Sequence, residues 1–400
     1  MKQNLITKIV ADHHDMIISW RRRIHQYPEL GLGCEQTAKL VSETLFKLGL
    51  DVNIGLARTG VSATLHGMYP QPVVGLRVDM DGLPIQEATG LSFASKIANR
   101  MHACGHDGHT AIGLGATAIL GQIKDKIPGT VKFIFQPGEE AESGARNMIA
   151  DGVLKGPCPD VLIGLHIDPS LESGHIGICF GPTMAGTVEF DLKISGKGGH
   201  AAQPQTCQDS IAAAGHIITL LQTVISRRID PLQPVVLSFG EISGGSCHNT
   251  IPDQVILKGT FRFLEDNTES RVFKCVNDTI KSVSTVFGVD ITLEVIDRIP
   301  PLTTDLDMSA YLIEKAGARF GRSKICRMDS PSMLGEDFSE FSSLIPSVFL
   351  RIGSRDLENG FTQHLHNPKF NFDESILLTG TEMAVFTILS LLGKLSQEEE

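Results

Sequence analysis

The chain has 400 residues, of which 42% are hydrophobic and 20% are charged. At roughly 100–200 residues per domain, this length predicts two or three domains with a sizeable core. Acidic residues outnumber basic ones by 46 to 35, and the net charge of −11 argues against a nucleic-acid-binding protein, which needs a basic surface. The compositional feature that needs an explanation is the content of 14 histidines and 8 cysteines.

Neither end of the chain predicts a membrane segment. Residues 1–15 lack the continuous apolar core of a signal peptide. The apolar stretch Ile376–Leu392 contains Glu382 and is shorter than the about 20 residues of a typical span, so we expect a buried terminal helix. We therefore expect a cytoplasmic protein without a membrane partner, whose cysteines are thiols or metal ligands.

The first half of the chain alternates helices with short apolar strands. Helical spacing of apolar residues predicts helices at 5–27, 35–48, 109–123 and 143–151, and β-branched runs predict strands at 60–65, 73–78, 131–135 and 161–167. The same α/β character resumes after Pro300-Pro301, over the segments 309–320, 338–342 and 376–395. This alternation predicts an α/β domain with a mainly parallel sheet flanked by helices.

The pattern changes after Gly186. The sequence then predicts a strand at 188–195, a helix at 209–227, strands at 235–241 and 255–263, a helix at 269–287 and a strand at 290–296. The order β-α-β-β-α-β is typical of a ferredoxin-like α+β fold. We therefore predict that residues 186–296 form a small domain inserted into a larger domain made of residues 1–185 and 297–400.

The densest polar cluster is Met101–His109, which reads MHACGHDGH. If this segment is extended up to His106, then His102, Cys104 and His106 project to one face. A thiolate and imidazoles suit zinc, manganese, nickel or cobalt. The alternative is a loop with unrelated histidines, because a Cys-x-His pair alone is a weak signal.

Glu139 and Glu140 follow the predicted strand 131–135. They are expected at its carboxyl end, where open α/β sheets bind ligands. One could bind a cation while the other acts as a general base. Taken alone, the pair fits the acidic first turn of a helix better than a ligand site.

Other strand ends and loops carry similar chemistry. His166 closes the strand 161–167, Asp79 and Asp81 follow the strand 73–78, and His364 and His366 share one side of an extended stretch. Each of these alone is compatible with an ordinary buried or solvated side chain. Together they predict a two-metal hydrolytic site, which acidifies a bridging water and polarises the substrate carbonyl.

Seven ordered motifs carry a resemblance that spans nearly the whole chain. They are Arg21–Leu30, Leu76–Pro84, Met101–His109, Gln136–Glu140, Gly164–His166, Gly198–Pro204 and Leu365–Phe370. By these motifs the chain resembles the metal-dependent amidohydrolases of the aminoacylase/carboxypeptidase clan. The most similar branch contains hippurate hydrolase, the indole-acetyl-amino-acid hydrolases and N-acyl-L-amino acid amidohydrolase. The resemblance implies a Zn-peptidase-like α/β domain with an inserted lid, which commonly also makes a dimer contact.

The resemblance also implies a ligand set and a base. The residues that match the ligands of two divalent metal ions per subunit (Mn, Zn, Co or Ni) are Cys104, His106, Glu140, His166 and His366. Glu139 matches the general base of the family. Asp81 matches a carboxylate that orients a ligand, which a metal-bound histidine typically needs.

Three residues of the predicted lid match positions that contact substrate. His200 in Gly198-Gly199-His200 matches a histidine that holds the tetrahedral oxyanion, often in the partner subunit's site. Asn249 and Arg262 resemble positions that bind the substrate carboxylate, which an arginine fork suits. The alternatives are a histidine in a glycine turn and an arginine paired with an acid of the lid. Gly335–Phe338 matches one more motif, for which an acidic helix start is the better explanation.

The implied function is hydrolysis of the amide bond of an N-acyl amino acid to a carboxylic acid and a free amino acid, by a homodimer or larger homo-oligomer formed through the lid. One alternative is a dipeptidase or carboxypeptidase acting on small peptides. Others are a non-catalytic relative that binds small molecules and a cysteine hydrolase that uses Cys104 with a nearby histidine. The Glu139-Glu140 pair argues against the binding protein, because binding alone needs no base.

Overall fold

A computed structural model describes residues 3–398. The chain forms two compact units. The first consists of Met1–Gly181, Thr303–Asp329 and Glu340–Glu400, and the second of Pro182–Leu302 and Ser330–Ser339. Ser330–Ser339 thus packs with the second unit, although the sequence pattern predicts it in the larger domain, because Ala185 donates its N–H to the carbonyls of Ser332 and Leu334.

The described residues form ten α-helices. Their bounds are α1 Gln3–Asp12, α2 His14–His25, α3 Glu35–Lys47, α4 His106–Gln122, α5 Gly144–Ala150, α6 Ser210–Arg228, α7 Asp266–Phe287, α8 Leu306–Phe320, α9 Phe338–Ser342 and α10 Ser375–Glu398. Short 3₁₀ turns lie at Lys124–Lys126, Pro204–Thr206 and Arg322–Lys324.

The strands of the described residues are β1 Asp51–Leu56, β2 Gly60–His66, β3 Val73–Asp79, β4 Thr130–Gln136, β5 Val161–Glu172, β6 Ile176–Cys179, β7 Pro182–Met184, β8 Gly186–Ser195, β9 Gly199–His200, β10 Val235–Gly244, β11 Thr250–Ile251, β12 Gln254–Phe263, β13 Asp290–Ile299, β14 Leu302–Thr303, β15 Ile325–Met328 and β16 Ser347–Arg355.

The first unit is built on an eight-stranded mixed sheet with the order β1-β2-β4-β3-β5-β16-β6-β15. Its central strands β4, β3, β5 and β16 run parallel to one another. These strands are nearly continuous apolar runs whose residues are buried on both faces, as expected for a sheet covered by helices. The predicted α/β fold with a mainly parallel centre is confirmed.

The polar residues that follow the parallel strands lie at one edge of the sheet. β3 leads into Asp81, and the neighbouring β4 leads into Glu139 and Glu140. β5 is longer than predicted and continues to Glu172, so His166 lies within it. His166 nevertheless lies two residues beyond Gly164, the last residue of β5 that pairs with β3.

The second unit contains a four-stranded antiparallel sheet with the order β10-β12-β8-β13. In β8 the buried residues Val188, Phe190, Leu192 and Ile194 alternate with more exposed ones, which gives the sheet one apolar face. That face belongs to a core shared with α6 and α7. The chain order β8-α6-β10-β12-α7-β13 with this strand order is the predicted ferredoxin-like arrangement.

The terminal helix α10 packs inside the first unit, against α4. Gly380 allows this close approach, because a Cβ there would lie 2.6 Å from Ile112 Cδ1. Residues Ser375–Gln397 are long and apolar enough to cross a membrane, but 61% of their most apolar stretch is buried inside the protein. That burial is typical of the core helix predicted from the sequence.

Candidate metal centre

The chain turns at Gly105, between the candidate ligands Cys104 and His106. Gly105 has a φ of 88°, in the left-handed region that favours glycine, and α4 begins at the next residue. The segment is therefore not extended up to His106, so the condition under which His102, Cys104 and His106 would share one face is not met. His102 instead lies beside His25, with ring centroids 6.3 Å apart.

A tight turn after β4 presents Glu139 and Glu140. Gly138 has a φ of 72°, and a Cβ there would lie 2.7 Å from Leu32 Cδ2. Asp81 Oδ1 accepts the backbone N–H of Glu139, and Asp81 Oδ2 accepts that of Glu140, each at 3.1 Å. The pair does not open a helix, because α5 begins only at Gly144. Asp81 therefore fixes the backbone of both glutamates.

His166 has one ring nitrogen committed to the backbone. Its Nδ1 donates to the carbonyl oxygen of Ile167 at 2.7 Å. This bond places the proton on Nδ1 and leaves Nε2 as the nitrogen available to a metal. His166 Nε2 lies 3.4 Å from Cys104 Sγ.

The C-terminal candidate ligand His366 reaches the same edge of the first unit. It has a φ of 63°, an uncommon conformation for a residue with a Cβ, and its N–H donates to the carbonyl of Ala103 at 2.9 Å. His366 Nε2 lies 3.3 Å from Glu140 Oε1, and His106 Nε2 lies 3.8 Å from the same oxygen. Glu140 therefore stands between two imidazoles.

The predicted ligands form three overlapping donor groups. The groups are Cys104 with His106 and His166, Cys104 with Glu140 and His366, and His106 with Glu139 and Glu140. Within each group, one donor atom per residue lies within 4.8 Å of the others. Atoms about 2.0–2.3 Å from one ion stand roughly 3–4 Å apart around it. All five predicted ligands, with Glu139, thus lie in one cluster at nearly the spacing that metal binding needs. In the described chain, His364 belongs to none of these groups.

The electrostatics of the cluster fit a bound cation. Among residues 3–398, the buried Nε2 of His106 has no hydrogen-bond partner. Burial, and then the charge of Glu140, raises the pKa of the Cys104 thiol well above its usual range, which a coordinated cation would reverse. Burial lowers the pKa of His166 well below its usual range, so that its imidazole is neutral. One sulfur, three imidazoles and a carboxylate suit a borderline divalent metal.

His109, whose role the sequence left open, is not a ligand, because both of its ring nitrogens bind protein. Nδ1 lies 2.6 Å from Asp79 Oδ1, and Nε2 accepts the N–H of Ile167 at 2.8 Å. Asp79 Oδ2 is paired with Arg77 Nη1 at 2.9 Å. His109 lies three residues after His106 on the same helix, and this spacing is the only sequence signal that the two rings are neighbours.

A second buried network was not predicted. Asp107 Oδ2 lies 2.8 Å from His25 Nδ1 and accepts from Arg21 Nε at 3.1 Å. Burial lowers the pKa of His25, but the charge and hydrogen bond of Asp107 outweigh it and raise that pKa to about 9. Arg21 also donates to Asn371 Oδ1 at 2.8 Å. The network therefore ties α2 to the start of α4 and to the segment that follows His366.

The second unit carries the three predicted substrate-contact residues. His200 is exposed and lies in β9, which pairs with β11, where Thr250 follows Asn249. Arg262 lies in β12 and donates from Nη1 to the carbonyl of Met333 at 3.2 Å. Glu336 Oε1 accepts the N–H of Phe338, where α9 begins, an arrangement that fits the acidic helix start expected for Gly335–Phe338.

The sequence matches the family model described as Peptidase family M20/M25/M40 over residues 75–390, which is most of the chain. This chain belongs to that family. The resemblance to metal-dependent amidohydrolases and the prediction of a hydrolase with this fold are thereby confirmed.

Named relatives and a solved structure match between 72% and 96% of this chain. An N-acyl-L-amino acid amidohydrolase of Geobacillus stearothermophilus is 41% identical over 292 residues, covering 72% of this chain and 78% of the relative. Thermostable carboxypeptidase 1 of Saccharolobus solfataricus is 35% identical over 374 residues, covering 93% and 94%. The crystal structure of a Bacillus subtilis dinuclear metal-binding peptidase of family M20 superposes with a TM-score of 0.82 at 32% identity, covering 96% of this chain and 99% of that one.

Proposed function

We propose that this protein hydrolyses the amide bond of N-acyl amino acids, releasing a carboxylic acid and a free amino acid. The observation that carries the proposal is the overlap of the three donor groups. Cys104, His106 and Glu140 each belong to two of them. The 41% identical N-acyl-L-amino acid amidohydrolase supports the substrate class.

Two divalent cations would be held by Cys104, His106, Glu140, His166 and His366. When bound, such ions acidify a water molecule and polarise the substrate carbonyl. The dinuclear Bacillus subtilis peptidase supports the number of two. Mn, Zn, Co and Ni all suit these donors, and their relative affinity and supply decide which one is bound.

Glu139 is the proposed general base. Its Oε2 lies 3.9 Å from His106 Nε2, at the margin of the ligand cluster, and its backbone is held by Asp81. In this position its carboxylate takes a proton from the attacking water and passes it to the leaving amine nitrogen. Asp81 Oδ1 also lies 3.4 Å from His106 Nδ1, so Asp81 orients both the proposed base and a proposed ligand.

The proposed substrate contacts lie in the second unit, which we interpret as the lid. The Nδ1 of His200 accepts the N–H of Ala202 at 3.1 Å, which in the neutral ring places the proton on Nε2. That N–H can donate to the tetrahedral oxyanion. Asn249, beside the partner strand of His200, and the guanidinium of Arg262 are proposed to bind the substrate carboxylate.

Metal removal tests the proposed function directly. The full chain is stripped with EDTA and assayed with acetyl-, benzoyl- and indole-acetyl-amino acids before and after Mn, Zn, Co or Ni is added back. We expect activity to disappear and to return with metal. Activity that survives chelation but is lost on thiol alkylation would instead identify a cysteine hydrolase. Tight metal binding without turnover of any substrate would identify a binding protein.

A carboxypeptidase is the second candidate, favoured by the 35% identity to thermostable carboxypeptidase 1. The same metal-loaded protein is assayed on unblocked dipeptides and tripeptides that match the N-acyl amino acids in their C-terminal residue. We expect blocked substrates to give the higher kcat/KM. A preference for unblocked peptides would replace the proposed substrate class.

We further propose a cytoplasmic location and a homodimer formed through the second unit. The eight cysteines are thiols and not disulfides, which fits a reducing compartment. The lid contact implied by the family resemblance supports the dimer. Sedimentation of the full chain at micromolar concentration tests it, and a monomer would contradict it.

A further inference from the structure

A continuous chain of hydrogen bonds runs from Arg77 to the proposed ligand His166. Arg77 Nη1 pairs with Asp79 Oδ2 at 2.9 Å, and Asp79 Oδ1 lies 2.6 Å from His109 Nδ1. His109 Nε2 accepts the N–H of Ile167 at 2.8 Å, and the carbonyl of Ile167 accepts from His166 Nδ1 at 2.7 Å. Residue Ile167 is therefore bound at both its N–H and its C=O.

The backbone groups of Ile167 determine which nitrogen of each histidine carries the proton in this series of hydrogen bonds. A backbone N–H can only donate, so His109 Nε2 is unprotonated and the ring proton lies on Nδ1, facing Asp79. A carbonyl can only accept, so His166 carries its proton on Nδ1 and keeps the lone pair on Nε2. The three bonds from His166 to Ile167, from Ile167 to His109 and from His109 to Asp79 all point toward Asp79, and Arg77 donates to the same carboxylate from its other side.

The packing leaves these groups little freedom. Arg77, Asp79 and His109 are fully buried, and the rings of His109 and His166 meet edge to face with centroids 4.6 Å apart. Ile167 is fully buried as well. Rotation of the His166 ring would break its bond to Ile167 and crowd His109.

We propose that His109 is a positioning residue for His166, which it orients through Ile167 so that the Nε2 lone pair faces the metal site. This inference rests on the proposed function, because it takes His166 as a metal ligand. It predicts that the acceptor at His109 Nε2 matters for metal affinity separately from the donor at Nδ1. Loss of such supporting hydrogen bonds typically lowers metal affinity by about 10–100-fold.

Two amide substitutions separate the two nitrogens. In His109→Gln the side-chain oxygen can occupy the position of Nε2 and accept the N–H of Ile167. In His109→Asn the shorter amide can still donate to Asp79 but cannot reach Ile167. Thr110→Val is the matched control on the same helix, because Thr110 Oγ1 donates to the backbone carbonyl of Asp79 at 2.7 Å and not to a group in the proposed chain from His109 to His166.

The measurement is a Co²⁺ titration of the metal-free full chain, followed by visible absorption, with thermal unfolding of each metal-free variant recorded alongside. We expect His109→Asn to weaken the binding of one ion by roughly 10–100-fold. His109→Gln is expected to stay close to the wild type, and Thr110→Val to change stability without a selective loss of one ion. Equal affinities in the Asn and Gln variants would overturn the proposal.

His166→Ala distinguishes failure of this inference from failure of the proposed ligand set. If that variant binds both ions like the wild type, His166 is not a ligand and both fail. If it loses one ion while His109→Asn does not, only the positioning role fails. Nitrogen-15 spectra of histidine-labelled wild-type protein test the inference without any substitution. The proposal requires the Nδ1–H tautomer of His109, and an Nε2–H tautomer would overturn it.

Discussion

The two units present their candidate functional residues in different ways. In the first unit, Cys104 is buried in a loop, His106 at the start of α4 and His166 within β5. Hydrogen bonds fix the backbone of Glu139 and the ring of His166. In the second unit, His200 and Asn249 are exposed, on or next to strands of only two residues. The candidate site of the first unit is therefore preformed, whereas the second unit offers exposed side chains.

The largest expected effect concerns the proposed general base, Glu139. It tests whether the reaction takes place on the residues of the first unit. Glu139→Gln should lower kcat by about 10³-fold because the amide cannot accept the proton. Metal content, measured by elemental analysis, should stay unchanged. Glu172→Gln, at the exposed end of β5, is the matched control and should keep full activity. Substantial turnover by Glu139→Gln would remove this residue from the proposed role.

The next prediction compares two buried cysteines, one in each unit. Cys104→Ala removes a proposed thiolate ligand and should weaken metal binding by on the order of 100-fold. Cys275→Ala removes the same atom from the core of the second unit and should lower only the stability. Metal titration and thermal unfolding of both variants separate the two results. Unchanged metal affinity in Cys104→Ala would break the comparison.

A substitution in the second unit tests whether its exposed residues contribute to catalysis. His200→Ala should lower kcat by about 10²-fold, as expected for loss of one oxyanion donor, while metal affinity stays unchanged. His248→Ala removes an exposed histidine from the same region and should have no effect. Equal kcat values for the two variants would confine the chemistry to the first unit.

The smallest expected effect concerns the support of the glutamate turn. Asp81→Asn keeps one carbonyl oxygen for the N–H of Glu139 or Glu140 but turns a donor toward the other, so kcat should fall by about tenfold. Asp151→Asn is the matched control, because Asp151 accepts the N–H of Ala57 at 2.7 Å elsewhere in the unit. Steady-state kinetics of both variants provide the measurement. A similar change in both would show that only general stability is affected.

Strand ends carry directional information, which is why the sequence predicts that several candidate residues meet at one edge of the sheet. Parallel strands bring Asp81, Glu139 and His166 to one edge whatever the lengths of the connecting segments. Between their end residues, strands β3 and β4 are apolar apart from Arg77 and Lys132, so hydrophobic patterning predicts where the two strands end. The roles of the residues that follow them are implied by the family resemblance.

The remaining features depend on backbone geometry and on contacts distant in sequence. The left-handed conformation of Gly105 redirects the chain between His102 and His106. The sequence shows that a glycine is present there, but not which φ it adopts. The pairing of His109 with Ile167 joins residues 58 positions apart. Likewise, Ser330–Ser339 packs with the second unit through backbone hydrogen bonds to Ala185, which leave no sequence signature.

The position of β16 in the sheet has a consequence for biosynthesis. β16 lies between β5 and β6 at the centre of the large sheet, yet it begins only at Ser347. A ribosome has therefore completed residues 182–302, the bulk of the second unit, before the first unit can close its sheet. We expect the inserted unit to fold first during translation. Until β16 emerges, β5 and the His166 it carries have a free edge that is open to chaperones and to aggregation.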